Sequence, residues 1–118
     1  MKRAKSLRIE DLEVGTGDAV AQAGDAVEVL FRCRLNHGEL LHEYRDRVNP
    51  AVIRVGARDC FVGIEHGVIG MKVCGKRLAT APAHLNHIEQ QVFPELSPDA
   101  VLHYEIELLG FRGRWSSD

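Results

Sequence analysis

The chain has 118 residues, 45% of them hydrophobic and 27% charged, with a formal net charge of −2. That is the length of a single domain over 1–118, and its composition is that of an ordinary soluble protein. The charge balance lacks the basic excess of a nucleic-acid binder, so no nucleic-acid partner is expected. No apolar run approaches the ~20 residues that cross a bilayer, so no membrane partner is expected either.

The first residues, Met1-Lys2-Arg3-Ala4-Lys5, are basic, but no apolar stretch follows and no signal peptide is expected. Leu7, Ile9, Leu12 and Val14 suggest a first strand whose alternation breaks once, closed by Gly15-Thr16-Gly17. After a turn at Ala23-Gly24-Asp25 comes the clearest signal. Val27, Val29, Phe31, Cys33 and Leu35 alternate with Glu28, Leu30, Arg32 and Arg34, the period-two pattern of a strand with one buried face. Asn36-His37-Gly38 reads as a hairpin turn, with Glu39 to Tyr44 returning and Ala51 to Val55 forming a further short strand after Asn49-Pro50.

Between Arg58 and Met71 the period changes. Phe61, Ile64, Val68 and Met71 recur at helical spacing. Gly63 and Gly67 each cost about 1 kcal/mol against Ala in a helix, so this helix is short and held by packing. Lys76 to Ala81 is a strand ending at Pro82, and Leu102, Tyr104, Ile106 and Leu108 alternate with polar residues in the last, where Phe111 and Trp115 either extend it or fray. The stretch 83–99 has no clear period. It is either a long loop or one or two helical turns around Leu85, Ile88 and Val92. Such loops are often functional. The expected fold class is α+β, a twisted antiparallel sheet wrapped around one short helix, with its core at about 7–111.

In this order and spacing the motifs resemble one family, the FKBP-type peptidyl-prolyl cis-trans isomerases. Gly15-Thr16-Gly17 and Gly24-Asp25-Ala26-Val27-Glu28-Val29 resemble its opening. Leu35-Asn36-His37-Gly38 resembles its hairpin. Gly56 with Gly63-Ile64-Glu65-His66-Gly67-Val68-Ile69-Gly70-Met71 and the following Lys72-Val73-Cys74-Gly75-Lys76-Arg77 resemble its helix and next turn. Tyr104-Glu105-Ile106-Glu107-Leu108-Leu109 resembles its last strand.

The resemblance implies an apolar pocket between sheet and helix that needs no nucleophile, metal or cofactor. It implies proline-containing peptides or proteins as substrates, and a protein-folding role. Matched by position, the catalytic wall is Phe31, Leu41, His42, Phe61, Ile64, His87 and Tyr104, with Ala51, Asp59, Cys60 and Leu96 binding substrate. The wall is altered. Phe31 replaces a usual Tyr, Leu41 and Ala51 replace Phe, His42 an Asp, Ile64 a Trp and His87 a Tyr. Weak activity is therefore expected, or a module of the same fold that holds a peptide without turnover. With His42 at the pocket mouth, acid is expected to weaken binding of an apolar ligand.

The remaining motifs read blandly. His84 and His87 are spaced i, i+3, but two ligands are too few for a structural metal site. Cys33, Cys60 and Cys74 are an odd number without close pairing. Free thiols in a reducing cytoplasm are expected. Cys60 at the start of the helix is reactive only if a cation or helix terminus lowers its pKa, and otherwise is packed and inert.

Overall fold

Alternation becomes strand throughout. A computed structural model describes residues 2–116, among which six strands run in chain order: β1 (Arg8–Glu13), β2 (Asp25–Arg34), β3 (Leu40–Tyr44), β4 (Ala51–Arg54), β5 (Lys76–Ala81) and β6 (Leu102–Arg114). Between them lie helices α1 (Val62–Glu65) and α2 (His87–Val92), the latter preceded by a 3₁₀ turn at Ala83–Leu85. One sheet takes the order β1-β5-β6-β2-β3, every pairing antiparallel. Along its other edge β2 is shared: Ala26–Val29 pair with β4 and Phe31–Arg34 pair with β3. This is the expected α+β fold.

The inward residues of β2 and β6 form the core. Val27, Val29, Cys33, Leu102, Tyr104 and Leu108 are fully buried, with Phe31 and Ile106 nearly so. At about 1.5–3 kcal/mol for each large apolar side chain removed from water, this face is the main stabilising element. Leu30 departs from the one-face pattern, since it is also fully buried. It pairs with Glu107 on the outer face. Arg47 forks onto the Glu107 carboxylate at 2.8 and 3.1 Å, bringing the β3–β4 connection across beside it.

The helical pattern over 58–71 is tighter than its period suggests. Regular helix is confined to α1, and the chain continues to Met71 through turns, with Val68 N–H donating to Ile64 O and Met71 N–H to Val68 O. The same side chains still face the sheet: Ile64, Val68 and Met71 are buried. Gly63 explains the closeness. A Cβ there would lie 2.6 Å from Cδ2 of Tyr104 on β6. The break in β1 is a register shift between Asp11 and Glu13 that leaves Leu12 exposed. β6 does not fray. Two register shifts against β2 carry it to Arg114, whose guanidinium bonds Asp25, and Trp115 Nε1 donates to Val55 O.

The segment 83–99 takes the helical option. Asn86, fully buried, donates through Nδ2 to Ala81 O and Ala100 O and so ties both ends of the segment together. Among the described residues no helix is long and apolar enough to cross a membrane.

Candidate functional site

Antiparallel pairing sets the site. Phe31 on β2 lies opposite Tyr44 of β3 and Ile106 of β6, while Cys33 lies opposite His42 and Tyr104. The inward sides of three strands are thus brought to one place, and α1 closes it with Phe61 at its N-cap and Ile64 beneath. Five rings pack there. His42 lies at the middle, with ring centroids 5.4 Å from Phe31, 4.8 Å from Phe61, 5.1 Å from Phe93 and 5.8 Å from Tyr104. Phe31 and Phe61 stand 6.2 and 6.4 Å from Tyr104. These are the separations of rings in favourable contact.

A polar chain runs through the rings. The Tyr104 hydroxyl donates to Glu89 Oε2 at 2.7 Å and lies 3.2 Å from His42 Nε2. With the tyrosine proton given to Glu89, the same oxygen accepts from an Nε2–H of His42. Glu89 is fully buried, and its Oε1 has no hydrogen-bond partner among the described residues. Burial raises the Glu89 carboxyl above its ordinary pKa, opposed in part by the Tyr104 hydrogen bond, and burial lowers His42. Both shifts disfavour charge inside the cluster. Burial also raises Tyr104, reinforced by Cys33 and Glu89 beside it.

Of the residues expected in the site, Phe31, His42, Phe61, Ile64 and Tyr104 converge. Leu41 and Leu96 pack on the core and line a neighbouring cleft of about 840 Å³, between the hairpin tip at Leu35–Glu39 and the segment Val92–Ala100. Ala51 on β4, opposite Val29, packs against the core. Asp59 is exposed and ion-paired with Arg54. Cys60 is packed, and burial pushes its thiol up to about 12, as it does Cys33. The inert reading of Cys60 is therefore the one the structure supports.

His87 is placed differently from expectation. It opens α2 with its side chain exposed. The helical turn instead points Glu89 inward, two residues on. Phe93, the C-cap of α2, stacks on His42 and also lines the cleft. Neither Glu89 nor Phe93 was expected. Phe93 had a signal, as the one aromatic in the stretch 83–99. Glu89 had none, because a carboxylate in a polar helical turn reads as solvated. His84 is exposed, 3.0 Å from Ser6 Oγ, while His103 bridges Asn36 and Thr80. Among the described residues no group of three or more His, Cys, Asp or Glu could hold a metal ion.

A six-stranded antiparallel sheet folded over a short glycine-spaced helix, with aromatic rings gathered between them, defines a class of small α+β domain whose candidate site is the ring cluster between sheet and helix. The model of the family described as FKBP-type peptidyl-prolyl cis-trans isomerase matches residues 17–109, most of the chain. An FK506-binding protein of Neisseria meningitidis is 33% identical over 104 residues, 88% of this chain and 94% of its own length. An FK506-binding protein 1A of Neurospora crassa is 31% identical over 107 residues, 91% of this chain and 89% of its own length. An FK506-binding protein 4 of Dictyostelium discoideum is 34% identical over 103 residues, 87% of this chain. The chain spans only 28% of that longer relative and 22% of the corresponding Chaetomium thermophilum protein. The chain belongs to the FKBP-type peptidyl-prolyl cis-trans isomerase family.

Proposed function

We propose that this domain catalyses cis–trans isomerisation of Xaa–Pro bonds, weakly, in unfolded or partner protein chains. The observation that carries this reading is the convergence of Phe31, Phe61 and Tyr104 over Ile64. Rotation about a peptide bond faces a barrier of about 18–20 kcal/mol, set by amide resonance. The twisted amide has lost that resonance and its charge separation, so a dry apolar pocket favours it over the planar ground state. Preference for the twisted state is the whole of the catalysis. Each 1.36 kcal/mol of that preference is tenfold in rate.

Family membership supports the reaction class. The thinned wall at Leu41, Ala51 and Ile64 supports the reduced rate. The three cysteines are free thiols, one of them exposed, which supports a reducing compartment such as the cytoplasm. A second reading, a module that holds a peptide without turnover, is favoured by one feature: the side chain of His42 stands inside the rings. The test is the slow phase of a proline-limited refolding reaction. Shortening of that phase by the parent, lost in Phe61→Ala, supports the isomerase. An effect unchanged in Phe61→Ala places the activity elsewhere.

A further inference from the structure

We infer that His42 is an internal occupant of the prolyl seat, held there by Tyr104 and Glu89, which a substrate must displace before it can bind. The inference rests on the pocket being the seat proposed above. Four rings surround the imidazole at centroid distances of 4.8–5.8 Å. An imidazole and a pyrrolidine are five-membered rings of similar size. A prolyl ring in contact with Phe31, Phe61 and Tyr104 needs the volume that the imidazole fills, and the two cannot share it.

The occupant is tethered. His42 Nε2 lies 3.2 Å from the Tyr104 hydroxyl, which is itself bonded to Glu89. The chain holds in either direction. An ionised Glu89 accepts a hydrogen bond from the Tyr104 hydroxyl and leaves the phenol oxygen to accept from Nε2–H. A protonated Glu89 donates to that oxygen and frees the tyrosine proton for an unprotonated Nε2. Glu89 is therefore a positioning residue that acts through Tyr104, and that contact gives its buried Oε2 a partner.

The occupant can also leave. His42 sits on β3, the edge strand of the sheet, and is half-buried. Phe93, stacked on one face of the imidazole, is shared with the cleft of about 840 Å³ beside the pocket. Rotation of the side chain moves the imidazole out without breaking a strand. In this account the substitution at position 42 does more than remove a polar contact from the wall. It installs a competitor at an effective concentration set by the backbone.

The experiment is binding of a blocked Ala-Leu-Pro-Phe peptide to the parent, His42→Ala and His42→Asn, with the imidazole ring protons of the parent followed by NMR. In the free parent those protons should be displaced from solvent values by the ring currents of the four rings, and saturating peptide should return them towards solvent values. A side chain with only a structural role would keep its shifts. Both variants should bind about tenfold more tightly, the worth of one hydrogen bond with one ring contact removed from the competitor. His42→Asn guards against a folding defect in His42→Ala. Equal or weaker binding in both variants, or an imidazole that keeps its shifts in the complex, overturns the inference and leaves the isomerase reading standing. Absence of binding to all three proteins overturns the prolyl seat itself, and the inference with it.

Discussion

Gly63→Ala separates packing from propensity. In an exposed helix this change stabilises by about 1 kcal/mol, because glycine loses more backbone freedom on folding. Here the added Cβ would stand 2.6 and 2.7 Å from Cδ2 and Cε2 of Tyr104. Carbon atoms prefer about 3.5–4.0 Å, so roughly 1 Å must be found. Tyr104 cannot supply it easily. Its ring is fully buried and its hydroxyl is fixed by Glu89. Overpacking of this kind costs about 1–3 kcal/mol. Set against the propensity gain, the net loss should be about 0–2 kcal/mol, at the upper end of that range for so constrained a ring. By the usual scaling for domains near this size that is a fall of up to about 8 °C in Tm. Calorimetry and urea unfolding of parent and variant measure it. A variant more stable than the parent by about 1 kcal/mol would refute the packing of α1 on β6.

Arg77→Met should cost about 2–4 kcal/mol in urea unfolding, because Nη1 of the buried guanidinium donates to both Gly67 O and Ile69 O while Nε donates to Asp11, and all three acceptors would lose that donor; Arg77→Lys, whose single ammonium cannot stand in for Nε and Nη1 together, should recover only part of it. Burial raises the folded-state pKa of Glu89, so its contribution to stability is present below its unfolded pKa and is lost as pH rises through the folded value. Thermal melts of Glu89→Gln against the parent should therefore show an advantage for the variant that grows from pH 4 towards 7, and an advantage that is flat with pH contradicts the shift. Burial lowers His42 in its closed position, among Tyr104 of β6, Glu89 of α2 and Cys33 of β2, with Cys60, Asp59 and Glu65 around the start of α1. An imidazole released to solvent takes up a proton more readily, so peptide affinity should rise as pH falls below about 6.5, by at most tenfold per pH unit for one proton. Titration calorimetry at several pH values checks this, with His42→Asn expected to be flat.

That last sign is opposite to the one expected from sequence, and the reason is geometric. Position 42 entered the candidate site through the family resemblance, which matches it to the residue after Leu41 on the returning strand. Whether its ring stands at the mouth or in the middle depends on which rotamer the three-strand register leaves open, and no periodicity carries that. The sheet itself was legible. In β2 and β6 one face is apolar over many residues, and β5 is bounded by Lys76 and Pro82. The turns after α1 were less so, because Ile64, Val68 and Met71 keep helical spacing whether or not the backbone between them is regular helix. The segment 83–99 was hardest. Its conformation is decided by Asn86 bonding Ala81 O on one side and Ala100 O on the other, side-chain contacts that no hydrophobic period carries. That placement turns His87 outward and Glu89 inward, an orientation that no local pattern carries.

The most direct test of the central claim is exchange NMR on a blocked Ala-Leu-Pro-Phe peptide with the parent protein present in catalytic amount. Uncatalysed interconversion of the cis and trans forms takes about 10–100 s at 25 °C. Exchange cross-peaks should build up faster than this, in proportion to protein concentration, and faster still with His42→Ala. Exchange at the uncatalysed rate with both proteins, each shown to be folded, would contradict the claim.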